Sequence, residues 1–385
     1  MKYYKNDNIQ NKKVILRCDF NVTIKNGEII DDTKIIKSLD TIKYLLDNNN
    51  SIIILSHLGK VKSDEDKTKN TLYPVHIRLK ELLNNNIYFS NITRGEELNE
   101  LASNLKEKEI LLVENTRHED FPEKLESKCD DSLSKYWASL GNVFINDAFG
   151  TSHRRHASNY GISKYLPSYY GELINEEKTK LDELINNPEK PFLVIMGGAK
   201  VEDKLKLISE LLPICDNLIV GGGIANTFIY ALNYKVGNSL LSLENIEEIK
   251  ELIKTYKEKI IIPTDFYVKN NENKEYRQLN EIKDEDIILD IGEESIKKYE
   301  NIINLSKTIF INGTVGLYED KDYEYGTKTL LEKLENSKGK VFVGGGDAVS
   351  ATNKLGFENS FYYKSTGGGA TLEYIIEKKM SALEE

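Results

Sequence analysis

Short, unbroken apolar runs recur along the chain, and each stops at a polar or glycine-rich motif before a stretch with helical spacing begins. In the first half the runs fall at residues 14–16, 52–55, 110–113 and 143–145, and in the second at 192–196, 218–220, 260–262, 287–289, 309–311 and 341–343. Runs this short, without alternation, read as strands buried on both faces, and their rhythm with helices reads as parallel α/β sheet. Between Gly161 and Pro191 the strand pattern stops. Residues 172–185 form a charged helical stretch that ends in Asn-Asn-Pro-Glu-Lys-Pro, which marks a domain boundary with a helical connector. The pattern therefore predicts an α/β chain of two doubly wound, Rossmann-like parallel sheets joined by a helical hinge. The lobes are expected at 1–170 and 191–372, with the connector at 171–190. Ligands of such sheets bind where the strands end, so the motifs there carry the functional question.

The first-half motifs are Arg17-Cys-Asp19-Phe-Asn21, Ser56-His57-Leu-Gly59-Lys60, Glu114-Asn-Thr-Arg117-His118 and Asn146-Asp147-Ala-Phe-Gly-Thr-Ser-His153-Arg154-Arg155-His156. Each residue has a duller reading. Asp19 or Asp147 could cap a helix, His57 could be a satisfied structural histidine, and 153–156 could be a solvated loop. Four motifs setting Arg, His, Asp and Asn at one sheet edge favour an anion pocket. The spacings resemble no zinc site.

The second half changes chemistry to glycine turns: Gly197-Gly198, Gly221-Gly-Gly223, Gly344-Gly-Gly346-Asp347 and Ser365-Thr366-Gly-Gly-Gly369. Turns of this kind feeding helix N-termini form a polyphosphate cradle. After Gly197-Gly198, the spacing of Val201, Leu205, Ile208 and Leu212 predicts a helix opening near Lys200. Lys200 and Lys204 would then share one face of its first turns, where an anion would relieve their conflict with the helix dipole. Asp347 is either a helix N-cap or a Mg²⁺ ligand beside phosphates, and both can hold together. Glu319 could accept from ribose hydroxyls or stand as a surface acid. One half thus offers Arg, Lys and His to a small anion, and the other offers glycine turns and Lys to a nucleotide. That division suits phosphoryl transfer across a cleft that closes on a hinge.

Composition narrows the partners. The 385 residues carry a formal charge of −10, with 39% hydrophobic and 30% charged positions. This argues against a general nucleic-acid or membrane-surface binder, and no apolar run approaches a membrane span. Three scattered cysteines, Cys18, Cys129 and Cys215, fit reduced cytoplasmic thiols. Of 52 basic residues only seven are arginine, and Arg17, Arg117, Arg154 and Arg155 sit at the strand-end motifs. Their place there points to bidentate contact with carboxylate or phosphate.

Taken in order, these motifs resemble the phosphoglycerate kinase family, from about Val14 to the turn at Gly367–Gly369. The resemblance implies a bilobal enzyme that moves a phosphoryl group between 1,3-bisphosphoglycerate and ADP, with Mg²⁺. On this analogy Asp19, Asn21, His57, Arg117 and Arg154 hold 3-phosphoglycerate. Gly198, Ala199, Lys200, Lys204, Gly223, Asn312, Glu319, Gly345, Gly346, Asp347 and Ala348 hold the nucleotide, with Asp347 on the metal. Thr366, Gly367 and Gly368 form a phosphate-transfer loop, and the chain beyond about Leu372 packs back on the first lobe. A monomer in the cytoplasm is expected, with no nucleic-acid or membrane partner.

Three positions depart from the family pattern. Lys34 and Lys60 stand where the family has arginine, and Thr314 follows Asn312-Gly313 in place of proline. Lys34, Lys200 and Lys204 are the expected catalytic cations, and Lys34 and Lys60 join the substrate pocket. Replacing a planar fork by a point charge weakens bidentate recognition, at about 1–3 kcal/mol per contact. This leaves open a nucleotide-binding paralogue with weak or altered kinase activity. A Rossmann dehydrogenase fits less well, because no Gly-x-Gly-x-x-Gly follows a strand in register.

Overall fold

A computed structural model of the chain describes residues 1–202 and 204–384; Asp203, within the central lysine motif, lies outside the described residues. The chain divides into two compact units, Met1–Thr179 with Glu377–Glu385, and Lys180–Ile376. The helix Glu172–Asn186 runs across the division between Thr179 and Lys180.

The first unit is built on a seven-stranded sheet. Its spatial order is Lys2–Tyr3, Ser168–Tyr170, Val143–Asp147, Lys13–Cys18, Ser51–Leu55, Ile110–Val113 and Ile87–Ser90, all parallel. Alternate residues face opposite sides: Val14, Leu16, Ile52 and Ile54 enter one core, while Ile15, Ile53 and Leu55 enter the other. Both faces are therefore dry, which is why these strands read as continuous apolar runs. Helix Thr33–Asp47 covers the first face with Ile35, Leu39, Ile42 and Leu45. Trp137, on helix Asp131–Ala138, fills the second. Each such side chain, fully buried, contributes about 1.5–3 kcal/mol. Three strands escaped the sequence pattern, because Lys2–Tyr3 and Ser168–Tyr170 are two or three residues long and Ile87–Ser90 is a half-exposed edge.

The second unit carries a six-stranded parallel sheet in the order Ile260–Ile261, Asn217–Val220, Phe192–Met196, Thr308–Asn312, Lys340–Gly344 and Tyr363–Lys364. The run beginning at Ile287 does not join it. Ile287–Ile291 pairs antiparallel with Asp265–Asn270, which hairpins to Asn273–Gln278 in a separate three-stranded sheet. The tight turn at Asn270–Asn273, with Asn271 at φ 52°, returns the chain directly and leaves no room for the crossover that parallel pairing needs.

In each sheet the chain winds outward in both directions from one pair of neighbours. These are Lys13–Cys18 beside Val143–Asp147 in the first unit, and Phe192–Met196 beside Thr308–Asn312 in the second. Connections part there, and the loops leave a crevice at the carboxyl ends. Register fixes what meets: Arg17 lies beside Asn146 and Cys18 beside Asp147, and Met196 beside Asn312.

Candidate active site

In the first unit the crevice gathers Asp19, His57, Arg117 and Lys34. Asp19 follows its strand directly and is buried, with Oδ1 accepting from Asn21 N–H at 3.1 Å and Oδ2 from Lys34 Nζ at 2.9 Å. Burial pushes this carboxyl upward, but the charge and hydrogen bond of Lys34, together with the Arg17 charge, outweigh it, so Asp19 sits below its ordinary value. His57, almost fully buried, is also lowered, which for a base means loss of charge: burial and the Arg17 charge hold its ring neutral well below the usual range, against the opposing pull of Asp19. Arg117 reaches Asp120 at 2.6 Å and also Ser127 Oγ, while its Nε is buried without a protein partner. Thr116 Oγ1 and the Nδ1 atoms of His153 and His156 are likewise buried and unpartnered. Burial comes first in lowering the two histidines, to about 4 for His153 and about 3 for His156. Neutral rings and orphaned polar atoms at one edge can exchange hydrogen bonds with a ligand, Arg117 Nε as donor and the hydroxyl and ring nitrogens as donor or acceptor. Asn21, Lys60 and Arg154 stand exposed around them.

The loops holding these groups are stitched by residues that sequence reasoning passed over. Asn115 accepts from the N–H groups of Leu58 and Arg117, both at 3.0 Å, and donates to the carbonyls of Leu58 and Asn70, both at 2.7 Å. One amide thereby ties the His57 loop to the Arg117 loop. Ser56 Oγ accepts from Phe20 N–H at 2.8 Å and ties in the Asp19 loop. Only the position of Asn115 inside a polar motif could have pointed to it. Arg155, by contrast, lies over the Tyr160 ring and donates to Ser381 O, so its guanidinium serves packing. Asp147 does act as a helix cap, but across the chain: its Oδ1 accepts from Ile174 N–H, in the first turn of Glu172–Asn186.

In the second unit, a cavity of about 90 Å³ at the sheet's crevice brings together Lys204, Asn312, Gly345, Gly346, Asp347 and Gly368. Asn312 Nδ2 donates to Gly344 O at 2.8 Å, leaving Oδ1 buried with no protein partner. Gly345 takes φ 88° as the N-cap of helix Gly346–Lys354, which aims the first N–H groups of that helix at the cavity mouth. A Cβ on Gly346, Gly368 or Gly369 would meet nothing within 4 Å, so the space over these turns is open. Asp347 is exposed at the same mouth. Helix Gly222–Ala231 also starts on its glycine turn, where Gly223 abuts Ala199 O too closely for a side chain. Ala348 packs into the core behind. Ala199, Lys200 and Glu319 are exposed and line no part of the cavity, and Thr366 and Gly367 flank Gly368 outside it.

The helix expected near Lys200 begins five residues later, at Leu205. Gly198, at φ 115°, donates to Thr314 O and accepts from Ile224 N–H, which commits its backbone to neighbouring loops. The first turn closes only when Val201 O accepts from Lys204 and Leu205. Lys204 is thus the N-cap, and its ammonium folds back to Gly197 O at 2.6 Å beside the cavity, while Lys200 points to solvent on the preceding turn. The two lysines therefore do not share a helical face.

Two doubly wound α/β units, one with a lysine, glycine turns and an acid at its switch point, define a nucleotide-dependent phosphotransferase. The family model for phosphoglycerate kinase matches residues 4–378. Similar curated proteins include the phosphoglycerate kinases of Staphylococcus aureus and Enterococcus faecalis. The first is 42% identical over 381 residues, covering 98% of this chain and 96% of its own. The second is 42% identical over 392 residues, covering 99% and 98%. Among solved structures, phosphoglycerate kinase from Coxiella burnetii superposes with a TM-score of 0.87 at 31% identity, covering 99% of this chain and 97% of that one. The enzyme from Pyrococcus horikoshii gives 0.83 at 27%, covering 100% and 98%. The chain belongs to the phosphoglycerate kinase family.

Proposed function

We propose that the carboxyl edge of the first sheet holds 3-phosphoglycerate or 1,3-bisphosphoglycerate, and that the glycine turns of the second hold ATP or ADP. The reaction is that of an ATP:3-phosphoglycerate 1-phosphotransferase, reversible transfer from 1,3-bisphosphoglycerate to ADP giving 3-phosphoglycerate and ATP. The observation that carries the nucleotide assignment is the cavity gathering Lys204, Asn312, Gly345, Gly346, Asp347 and Gly368. Lys204 offers charge to a phosphate, Gly345 and Gly346 offer backbone N–H groups, and Asn312 Oδ1 accepts a nucleotide donor. Ala199, Lys200, Gly223, Glu319 and the Thr366–Gly367 stretch border this ligand more loosely.

On the other side, Arg117, Arg154 and Lys60 bind the anionic ends of the three-carbon acid, and Asn21 and His57 orient it. Asp19 holds Lys34 and accepts a hydrogen bond from the substrate hydroxyl. Lys34 supplies positive charge to the transferring group. In the direction of ATP synthesis the acyl phosphate P–O bond breaks and a bond to a terminal ADP oxygen forms. The attacking oxygen is already ionised and the leaving oxygen takes the bonding pair and departs as a carboxylate, so no proton moves and no general base is required. Alignment and charge stabilisation carry the rate.

Asp347 would hold Mg²⁺. No cluster of three or more metal-binding side chains occurs among the described residues, and one exposed carboxylate beside a phosphate cradle fits an ion that binds mainly through phosphates and water. When bound, the ion neutralises phosphate charge. Three unpaired cysteines fit a reducing cytoplasm, in which we place the enzyme as a monomer. No helix among the described residues is long and apolar enough to cross a membrane.

A nucleotide-binding paralogue with weak or altered kinase activity is not favoured, given 42% identity over nearly the whole chain. The deciding experiment is ATP-dependent phosphorylation of 3-phosphoglycerate by the purified protein, coupled to NADH oxidation. Turnover is expected, and Lys204→Ala should lower kcat by about 10²-fold or more without unfolding the protein. Undiminished turnover in that variant would remove Lys204 from the site. No turnover in the parent, with ATP still bound in calorimetry, would restore the paralogue.

A further inference from the structure

Arg17 sits in the anion-pocket motif, yet it contacts no open surface. It is fully buried in strand Lys13–Cys18 and spends its donors on protein. Nε donates to Ser158 Oγ at 2.8 Å, Nη1 donates to Cys18 O, and Nη2 lies 3.3 Å from His57 Nδ1. Ser158 in turn donates both its hydroxyl and its N–H to the Glu126 carboxylate, which is also fully buried. Glu126, Ser158, Arg17 and His57 therefore form one chain of hydrogen bonds drawn from four separate segments, ending on the imidazole assigned to substrate.

We infer that Arg17 is a positioning residue that fixes the tautomer of His57, holding Nδ1 as acceptor and presenting Nε2–H to the bound acid. The inference rests on the assignment of His57 to 3-phosphoglycerate. Its chemistry is short. A guanidinium has five donors and no acceptor, so its partner nitrogen must bring a lone pair. A neutral imidazole with its lone pair on Nδ1 carries its proton on Nε2. A proton on Nδ1 would set two donors against each other in a buried place, and an imidazolium would add a second cation. The charged groups around the ring are Arg17, Asp19, Arg117 and Lys34, of which only Asp19 favours a charged imidazole. The ring thus remains a neutral donor when an anion binds, and its hydrogen bond does not change with pH across the working range.

The test begins with the parent protein. Long-range ¹H–¹⁵N spectra at pH 7 should show His57 as the Nε2–H tautomer; an Nδ1–H tautomer or an imidazolium would overturn the inference. Arg17→Gln replaces an obligate donor by an amide that can also accept, and so frees the ring. Its spectra should show mixed or protonated forms, and KM for 3-phosphoglycerate should gain an ionisation near neutral pH, changing about tenfold across it while kcat changes less. Arg17→Lys keeps an obligate donor and should restore the single tautomer. If Arg17→Gln does not fold, Ser158→Ala removes the Nε anchor together with the hydroxyl bond to Glu126, leaves Arg17 in place, and is read by the same spectra, where an unchanged single tautomer would deny the relay. Adding 3-phosphoglycerate should shift the Nε2 resonance. Turnover without that shift would sink the assignment of His57 to substrate while leaving its tautomer as found.

Discussion

Lys34 Nζ stands 2.9 Å from Asp19 Oδ2, so this lysine, at a position where the family resemblance leads one to expect arginine, is tethered at the crevice by a buried carboxylate. The ammonium offers three rotatable donors around one point charge, whereas the planar fork of a guanidinium could hold Asp19 and a phosphoryl oxygen in one fixed geometry. Lys34→Met should lower kcat by about 10²-fold, with ATP affinity in calorimetry unchanged. Lys34→Arg should match or exceed the parent kcat. A methionine variant within twofold of the parent would show that Lys34 plays no part in transfer.

Gly345 is the backbone pivot of the proposed nucleotide cradle. At φ 88° an L-residue is strained, and a Cβ would run into Asn312 Nδ2, which is held by Gly344 O. Gly345→Ala should lose about 1–3 kcal/mol of stability. It should also weaken ADP binding by about tenfold or more through the displaced Asn312, and leave 3-phosphoglycerate binding alone. Equal weakening of both ligands would place the defect in the fold as a whole.

Two buried acids give stability a pH dependence of definite sign. Burial raises Asp147 to about 7 and Asp290 to about 7, while backbone N–H groups of Ile174 and of Gly326 and Ile291 pull the other way. The folded state therefore holds protons that the unfolded chain has released. The contribution is full below the ordinary carboxylate value of 3.8 and is lost as pH rises to about 7. Asp147→Asn keeps the acceptor for Ile174 N–H without the charge. Denaturation measured from pH 4 to 8 should show the variant gaining on the parent as pH rises, then levelling off. A constant difference would mean that Asp147 is already ionised throughout.

The last residues belong to the first unit. Met1 donates its ammonium to Leu383 O at 2.8 Å, Ala382 N–H reaches Ser152 O at 2.9 Å, and Ser381 Oγ reaches His153 O at 2.8 Å. Met380, Ala382 and Leu383 are buried there. Deleting residues 378–385 should destabilise this unit by about 3 kcal/mol or more. The single tryptophan, Trp137, lies in its core and reports the transition by fluorescence. An unchanged Trp137 midpoint would mean that these contacts carry no stability.

Strands buried on both faces need apolar side chains at every position, so Phe192–Met196 and Ser51–Leu55 announced themselves. The glycine turns were equally legible, since positive φ at Gly345 and Gly368 admits few other residues. Local sequence thus determined the central buried strands, the motifs at their ends and the family, but not the short edge strands or the separate antiparallel sheet that takes Ile287–Ile291. It could not determine where the helix after Gly198 begins, because that turns on bonds to Thr314 and Ile224, over a hundred and over twenty residues away. Nor could it tell that Arg17 turns inward to His57 while Arg117 edges the pocket, or that Asn115 ties two loops together. Identical side chains at identical strand ends differ in which neighbours complete their hydrogen bonds. Those neighbours are supplied by the packing of distant segments, and only the tertiary structure brings them within reach.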